Sequence, residues 1–391
     1  MAEYNFDEII NRSGTNSIKY DLRRDVFGTD NVIPMWVADM DFRTPGFIME
    51  AIRQRASHEI LGYTRRADGF FQAIIDWFKR RQNWDIDRNW IVFSPGIVPA
   101  LNFAVRAYTL PGDKVVIQPP VYHPFSTVIT GNQRVIVNNP LKFNNGRYYM
   151  DFDNLKGQLN DRVKLMLISH PHNPVGRVWT SEELSELAGI CLEHRIMIIS
   201  DEIHSDIIMH GKKHVPLAAI SPAYSEITAT CIAPSKTFNL AGLSTSAVVI
   251  SNKDRRELFS REIDTGHLWL GNIFGNIALE AAYKNGDEWV DQLNYYLSEN
   301  FKLLDSFLKK NIPAIKLVWP DATYLAWLDM RELKLDDRAL KDFMISKAGI
   351  GCNEGPSFGP GGEGFQRMNI GCPRAVLLKA LEQLKYAVNN L

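Results

Sequence analysis

The residue that first invites chemistry is Lys236, in CIAPSKTFNLAGL at 231–243. An apolar run ends at Ala233, and Pro234 and Ser235 turn the chain, leaving the lysine at the mouth of a buried strand. A desolvated ammonium gives up its proton readily, so a lysine so placed can form a Schiff base. Taken alone, a lysine is ordinarily a solvated surface residue. Asp201 closes the apolar run RIMIISDE at 195–202, at the carboxyl edge where α/β sheets bind ligands. A carboxylate held there can keep a pyridine nitrogen protonated, or it can cap a helix or pair with a loop cation. Asn173 follows a further apolar run in LMLISHPHNPVG at 165–176, fixed among Pro171, Pro174 and Gly176. It could hydrogen-bond a phenolic oxygen, although Asn-Pro and Gly are also ordinary turn punctuation. Gly96, in VFSPGIVPALNFAV at 92–105, sits in a strand–turn–helix pattern whose free backbone N–H groups can bind phosphate. Neither the P-loop nor the dinucleotide glycine pattern is present there. Pyridoxal phosphate is a cofactor that needs both a Schiff-base lysine and an acidic partner for its ring nitrogen.

The elements that must position these residues are legible as punctuated apolar runs. Ile91–Phe93, Val115–Ile117, Val135–Val137, Leu165–Ile168, Ile196–Ile199, Thr230–Ala233 and Ala247–Ile250 are short and mostly continuous, as in strands buried on both faces. Helical periodicity lies between several of them, as in GFFQAIIDWFKRRQ at 69–82 and SEELSELAGICLEHR at 181–195. The alternation predicts an α/β fold around a mostly parallel sheet. Beyond about residue 285 the pattern changes to a long helix at 287–311, a few strands (LVW, TYLAWLDM, FQRMNI) and a closing amphipathic helix at 373–390. The expected organisation is an arm over 1–45 packing with the small domain, a large cofactor-binding domain over 46–285 and a smaller α+β domain over 286–391.

Composition sets the outer bounds. The 391 residues carry 44 Lys+Arg against 45 Asp+Glu, so net charge gives no reason to expect nucleic acid or an anionic membrane as partner. No apolar stretch approaches the roughly 18 residues of a membrane span. The polar start MAEYNFDEIINRSG lacks the apolar stretch of a signal peptide. The four cysteines form no C-x-x-C pair, which fits a reducing compartment. A cytoplasmic protein is expected. The nine histidines, including His170, His172, His204, His210 and His214, show no metal-binding spacing, and no metal is expected.

In chain order the sequence offers a phosphate turn, an aromatic at Tyr122 in PPVYHPF, an Asn loop, a strand-end Asp and a lysine after a further strand. With SPGIVPAL, HPHNPVG, SDEIHSD, PSKTFNLAG and RMNIG at 367–371, it resembles the class I/II aminotransferases, fold type I pyridoxal-phosphate enzymes, over nearly its whole length. The resemblance implies a fold type I architecture, a mostly parallel mixed sheet sandwiched by helices, with pyridoxal 5'-phosphate as cofactor. It further implies that Lys236 forms the Schiff base and moves the Cα proton, Asp201 pairs with the ring nitrogen, Asn173 with the ring oxygen, and Tyr122 stacks on the ring. The amides of Ile97 and Val98 and the Ser235 hydroxyl would hold the phosphate, and Arg367, assisted by Asn173, would clamp the substrate α-carboxylate. Tyr63 in LGYTRR matches a tyrosine that reaches the neighbouring subunit's phosphate, which implies a homodimer with shared active sites.

Three positions depart from many relatives: His204 stands for a tyrosine, Ala233 for a serine or threonine, and Leu243 for a phosphate-binding arginine. His204 is then expected beside the cofactor. These departures, with PMWVADMDF at 34–42, TYLAWLDM and NIGCPR, resemble the carbon–sulfur β-lyase branch, including cystathionine β-lyases. That branch cleaves cystathionine or related cysteine S-conjugates to a thiol, pyruvate and ammonia. Trp36 and Tyr324 lie in segments that match it and are expected in the substrate pocket. An aminotransferase of an aromatic or aliphatic amino acid is the alternative. A non-catalytic cofactor-binding sensor would need an appended DNA-binding module, for which the enzyme-like segments leave no length.

Overall fold

The computed structural model describes residues 4–391. A short strand β1 (Ile33–Pro34) closes the arm. There follow β2 (Ile91–Ser94), β3 (Lys114–Ile117), β4 (Val135–Asn138), a hairpin of β5 (Lys142–Asn144) and β6 (Arg147–Tyr149), then β7 (Val163–Ser169), β8 (Met197–Asp201), β9 (Thr228–Ile232) and β10 (Ser246–Val249). Seven of these form one sheet in the order β2-β10-β9-β8-β7-β3-β4. Its pairings are parallel except for β10, which runs antiparallel to both neighbours. Apart from the edge strands β2, where Val92 is partly exposed, and β4, the runs read from sequence as strands with both faces buried are so. In β4, at the other sheet edge, Val135 is exposed.

Helices Ile97–Tyr108, Ser181–Glu193 and Lys253–Thr265 cover the sheet, each with its apolar stripe turned inward. The Ser181 helix is entered through Thr180 and Glu183, whose side chains cap each other's backbone N–H groups. The Asp287–Asn311 helix has the span read from periodicity and buries Trp289, Leu293, Leu297 and Leu304. It leads to β11 (Lys316–Val318), β12 (Leu325–Asp329), β13 (Ile350–Gly351), β14 (Asn353–Glu354) and β15 (Phe365–Asn369), and the Arg374–Asn389 helix closes the chain. A four-stranded sheet runs β11-β12-β15-β14, while β13 pairs with β1 and ties the arm to this part of the chain.

The topology determines where chemistry can occur. β2, β7, β8 and β9 are parallel to one another, so the turns after them, at Gly96, Asn173, Asp201 and Lys236, gather at one edge of the sheet. Because β10 runs the other way, its entrance at Ser244 and Thr245 arrives at that same edge.

Candidate active site

At this edge lies a cavity of about 210 Å³ lined by Gly96, Ile97, Val98, Tyr122, Ser169, Asn173, Asp201, His204, Ser235, Lys236, Ser244 and Thr245, among others. Larger hollows open elsewhere on the surface, but this one gathers the lysine, the carboxylate, the amide and the helix N-terminus in a single space.

Lys236 is partly buried, and its Nζ donates to the Ala38 carbonyl oxygen at 2.6 Å. Burial and the Arg367 cation lower its pKa to about 8, against Asp39 and Asp201, which raise it. Near neutral pH a useful fraction is therefore free amine, the form that attacks a carbonyl or takes a proton. Asp201 is buried at the end of β8, where its side chain accepts the Ile203 N–H at 3.2 Å. Burial pushes its pKa up to about 7, with that N–H and Lys236 acting the other way. Such a carboxylate gains from a positively charged N–H placed against it.

Arg367, in β15, is buried and donates from Nη1 to Asn173 Oδ1 at 3.0 Å. Its Nη2 donates to the Trp36 carbonyl at 2.9 Å and to Asn353 Oδ1 at 2.6 Å. Its Nε has no partner, and among the described residues no carboxylate forms an ion pair with it. Burial lowers its pKa to about 10. A buried guanidinium without a counter-ion is matched by the carboxylate of a ligand.

The other end of the cavity suits an anion. Gly96, at φ 140°, turns the chain from β2 into the Ile97–Tyr108 helix, whose first N–H groups are free of intrahelical partners. The hydroxyls of Ser235, Ser244 and Thr245 line the same space. Among the described residues no arginine lines this cavity, so what this end offers an anion is neutral donors and the helix dipole. Ser244 and Thr245 escaped the sequence reading because they open an antiparallel strand, and only the topology brings them to this edge.

Tyr122 lines the cavity beside Asp201 and Arg367, and burial raises its pKa. His204 also lines it. Its Nδ1 is buried and unpartnered, and burial, then Lys236 and Arg367, hold its pKa well below the usual value, so the ring is neutral. Trp36 contributes its carbonyl to Arg367, while its indole N–H donates to the Lys19 carbonyl at 3.0 Å, away from the cavity. Tyr324 has no exposed surface and lies outside the cavity lining, its hydroxyl donating to Ala38 at 2.8 Å. Tyr63 does not reach this cavity in its own chain; it is 98% exposed, beside exposed Ile60 and Leu61.

Two acids missed in sequence brace the site. Asp206 accepts from Trp77 Nε1 at 3.0 Å and from Thr237 Oγ1 at 2.9 Å, fixing the residue after the lysine. Glu202 accepts from Ser200 Oγ, His214 Nε2 and the Leu217 N–H, pinning the loop that carries His204. Both belong to SDEIHSD, whose spacing of acids after an apolar strand was the available signal.

Known proteins share this chain's sequence and fold. The profile of the family described as aminotransferase class I and II matches residues 30–384. The chain is similar to cystathionine beta-lyase PatB of Bacillus subtilis, with 44% identity covering 98% of this chain and 100% of that one. It superposes on the structure of cystalysin from Treponema denticola, which contains a pyridoxal 5'-phosphate cofactor, with TM-score 0.97 and 38% identity, covering all of both chains. The pyridoxal-phosphate-bound C–S lyase from Staphylococcus hominis matches with TM-score 0.93 and 37% identity, over 99% of this chain and 98% of that one.

Proposed function

The chain belongs to the class I and II aminotransferase family, and from that premise we propose that it is a pyridoxal-phosphate-dependent carbon–sulfur β-lyase acting on cystathionine or related cysteine S-conjugates. The cavity residues fit the cofactor: a lysine with a lowered pKa, a buried carboxylate without a cation of its own, and a helix N-terminus ringed by hydroxyls. Bound pyridoxal phosphate supplies an electron sink for the pair left when Cα loses its proton.

The protein's own residues do the rest. Lys236 holds the cofactor and, as a free amine, removes the Cα proton. Asp201 would keep a positive charge on the ring nitrogen, Asn173 would hold the ring oxygen, Tyr122 would cover the ring and His204 would pack beside it. Ile97 and Val98 N–H groups with Ser235 would hold the phosphate, with Ser244 and Thr245 lining the same end of the cavity. Arg367 binds the substrate α-carboxylate, so that Cα faces Lys236 while the Cβ–S bond is free to break. The thiol leaves, and pyruvate and ammonia follow by hydrolysis.

The observation that carries this reading is the buried cation of Arg367, without an ion-pair partner among the described residues, held by Asn173, which lines one cavity with Lys236 and Asp201. The exposed Tyr63, with Ile60, Leu61 and Trp269, supports a homodimer in which Tyr63 completes the partner's phosphate site. On the same reading, residues 46–285 form the cofactor-binding domain, 286–391 the small domain and 1–45 the arm, and the protein works in the cytoplasm. No helix among the described residues is long and apolar enough to cross a membrane. The test is to supply pyridoxal phosphate and L-cystathionine and measure pyruvate and ammonia with and without a 2-oxo acid. Release without the acceptor is expected; amino transfer only in its presence would mean an aminotransferase.

A further inference from the structure

The Ala38 carbonyl oxygen has two donors, Lys236 Nζ at 2.6 Å and the Tyr324 hydroxyl at 2.8 Å. We propose that Tyr324 is a positioning residue for Lys236, which, by sharing the Ala38 carbonyl, sets how firmly that carbonyl holds the lysine while its amine is free. The inference rests on the assignment of Lys236 as the Schiff-base lysine.

The carbonyl is fixed in place from several sides. Trp36 O is held by Arg367 at 2.9 Å, and Val37 O and Asp39 O both by Asn369 Nδ2 at 2.6 Å. Met40 N donates to Asn239 Oδ1 at 3.0 Å, and Arg12 bridges Asp39 and Asp41 at 2.6 Å each. The strap 36–41 therefore cannot follow the lysine, and the strength of the contact depends on the oxygen itself. A carbonyl oxygen has two lone pairs and can take two donors, but both draw on the same electron density. Tyr324 has no exposed surface and its ring stands edge-on to His204 at 5.9 Å, so its hydroxyl cannot turn to solvent instead.

The charged and titratable groups facing Lys236 are Arg367 from β15, Asp39 from the strap, Asp201 from β8 and neutral His204 from the loop after it. Exchanging Tyr324 for phenylalanine removes none of these groups and keeps the ring against His204. It leaves Ala38 O wholly to Lys236, which stabilises the ammonium and raises the pH at which the amine becomes free. The enzyme needs that free amine twice, to capture the cofactor and to take the Cα proton.

The experiment follows the rate at which the full-length chain, stripped of cofactor, develops the visible absorbance of its Schiff base with pyridoxal phosphate, as a function of pH. In Tyr324→Phe the midpoint moves up, and capture at pH 7 slows about threefold, the equivalent of about half a pH unit. In the holoenzyme kcat falls with KM unchanged, because Arg367 is untouched. Site-specific 3-fluorotyrosine at 324 keeps nearly the same volume with a more acidic hydroxyl, and moves the midpoint down. A midpoint unchanged in both proteins, or a change in melting temperature alone, overturns the proposal. If Tyr324→Phe does not fold, the fluorotyrosine result decides it. Schiff-base absorbance persisting in Lys236→Ala would refute the lysine assignment instead, a separate failure.

Discussion

At the scale of single residues, the site is a set of buried charges that each lack a partner of opposite sign. Arg367 is the clearest case, and Arg367→Lys tests it: the charge stays, but the fork that grips both carboxylate oxygens is lost. A charge-assisted hydrogen bond is worth about 1.5–3 kcal/mol, so KM for cystathionine should rise about tenfold or more, with a smaller change in kcat. An unchanged KM in steady-state kinetics would remove Arg367 from the substrate site. Asp201 makes a pH-dependent prediction. Its carboxyl ionises near pH 4 in the unfolded chain but near 7 in the folded one, where burial opposes the charge. Between those values the folded, cofactor-free chain holds a proton that the unfolded chain has lost. Asp201 therefore weakens the fold progressively as pH rises from about 4 to about 7, and no further above that. Asp201→Asn removes this slope, so the cofactor-free variant should gain on the natural chain by up to a few kcal/mol, at about 1.4 kcal/mol per pH unit. Pyridoxal phosphate should in turn stabilise the natural chain more than the variant. Melting curves from pH 5 to 8, with and without cofactor, check both, and parallel curves would contradict the assignment. Lys236, Asp201 and Asn173 were legible in the sequence because each follows an apolar run that could only be a buried strand. Ala38 was not, since its role belongs to a backbone carbonyl that no side-chain pattern marks.

At the scale of elements, the reversal of β10 accounts for what the sequence withheld. Its apolar run announced a strand, but nothing in SAVV states its direction, which follows from pairing with β2 and β9. With the direction unknown, Ser244 and Thr245 could not be placed beside Gly96. The helix Ile273–Asn285 was likewise not singled out, and it presses on this corner. A Cβ at Gly275 would lie 1.9 Å from Thr245 Oγ1 and 2.7 Å from the Leu243 carbonyl oxygen. Gly275→Ala must then push the helix or the loop away. Gly275 lies within the first turn of its helix at an ordinary φ, so alanine suits the backbone and the cost falls on the contact. The expected outcome is a folded enzyme that loses pyridoxal phosphate several times more readily on dialysis, read from the residual cofactor absorbance. Full retention would separate Thr245 from the phosphate end of the cavity.

At the scale of the whole molecule, one exposed apolar surface bears on the proposed homodimer. Tyr63 is 98% exposed, Ile60 71%, Leu61 59% and Trp269 48%, and Arg66 joins the two segments by donating to the Leu270 carbonyl. Leu61 and Tyr63 also line one hollow with Leu270 and Ile273. Neighbouring apolar side chains left open to water are the mark of a surface that another chain covers. The sequence anticipated this only through the LGYTRR resemblance, because exposure cannot be read from residue type when aromatics are usually buried. Leu61→Glu would place a charge in such an interface and oppose association by leaving that charge unpaired on burial. If, as proposed, Tyr63 completes the partner's site, two linked losses are expected: sedimentation shifts from dimer to monomer, and cofactor affinity falls together with it. Tyr63→Phe should behave differently, keeping the apolar ring and the dimer while weakening cofactor binding through the missing hydroxyl alone. Sedimentation and cofactor titration on both variants therefore separate assembly from chemistry. A Leu61→Glu monomer that binds cofactor as tightly as the natural chain would show each active site to be complete within its own subunit.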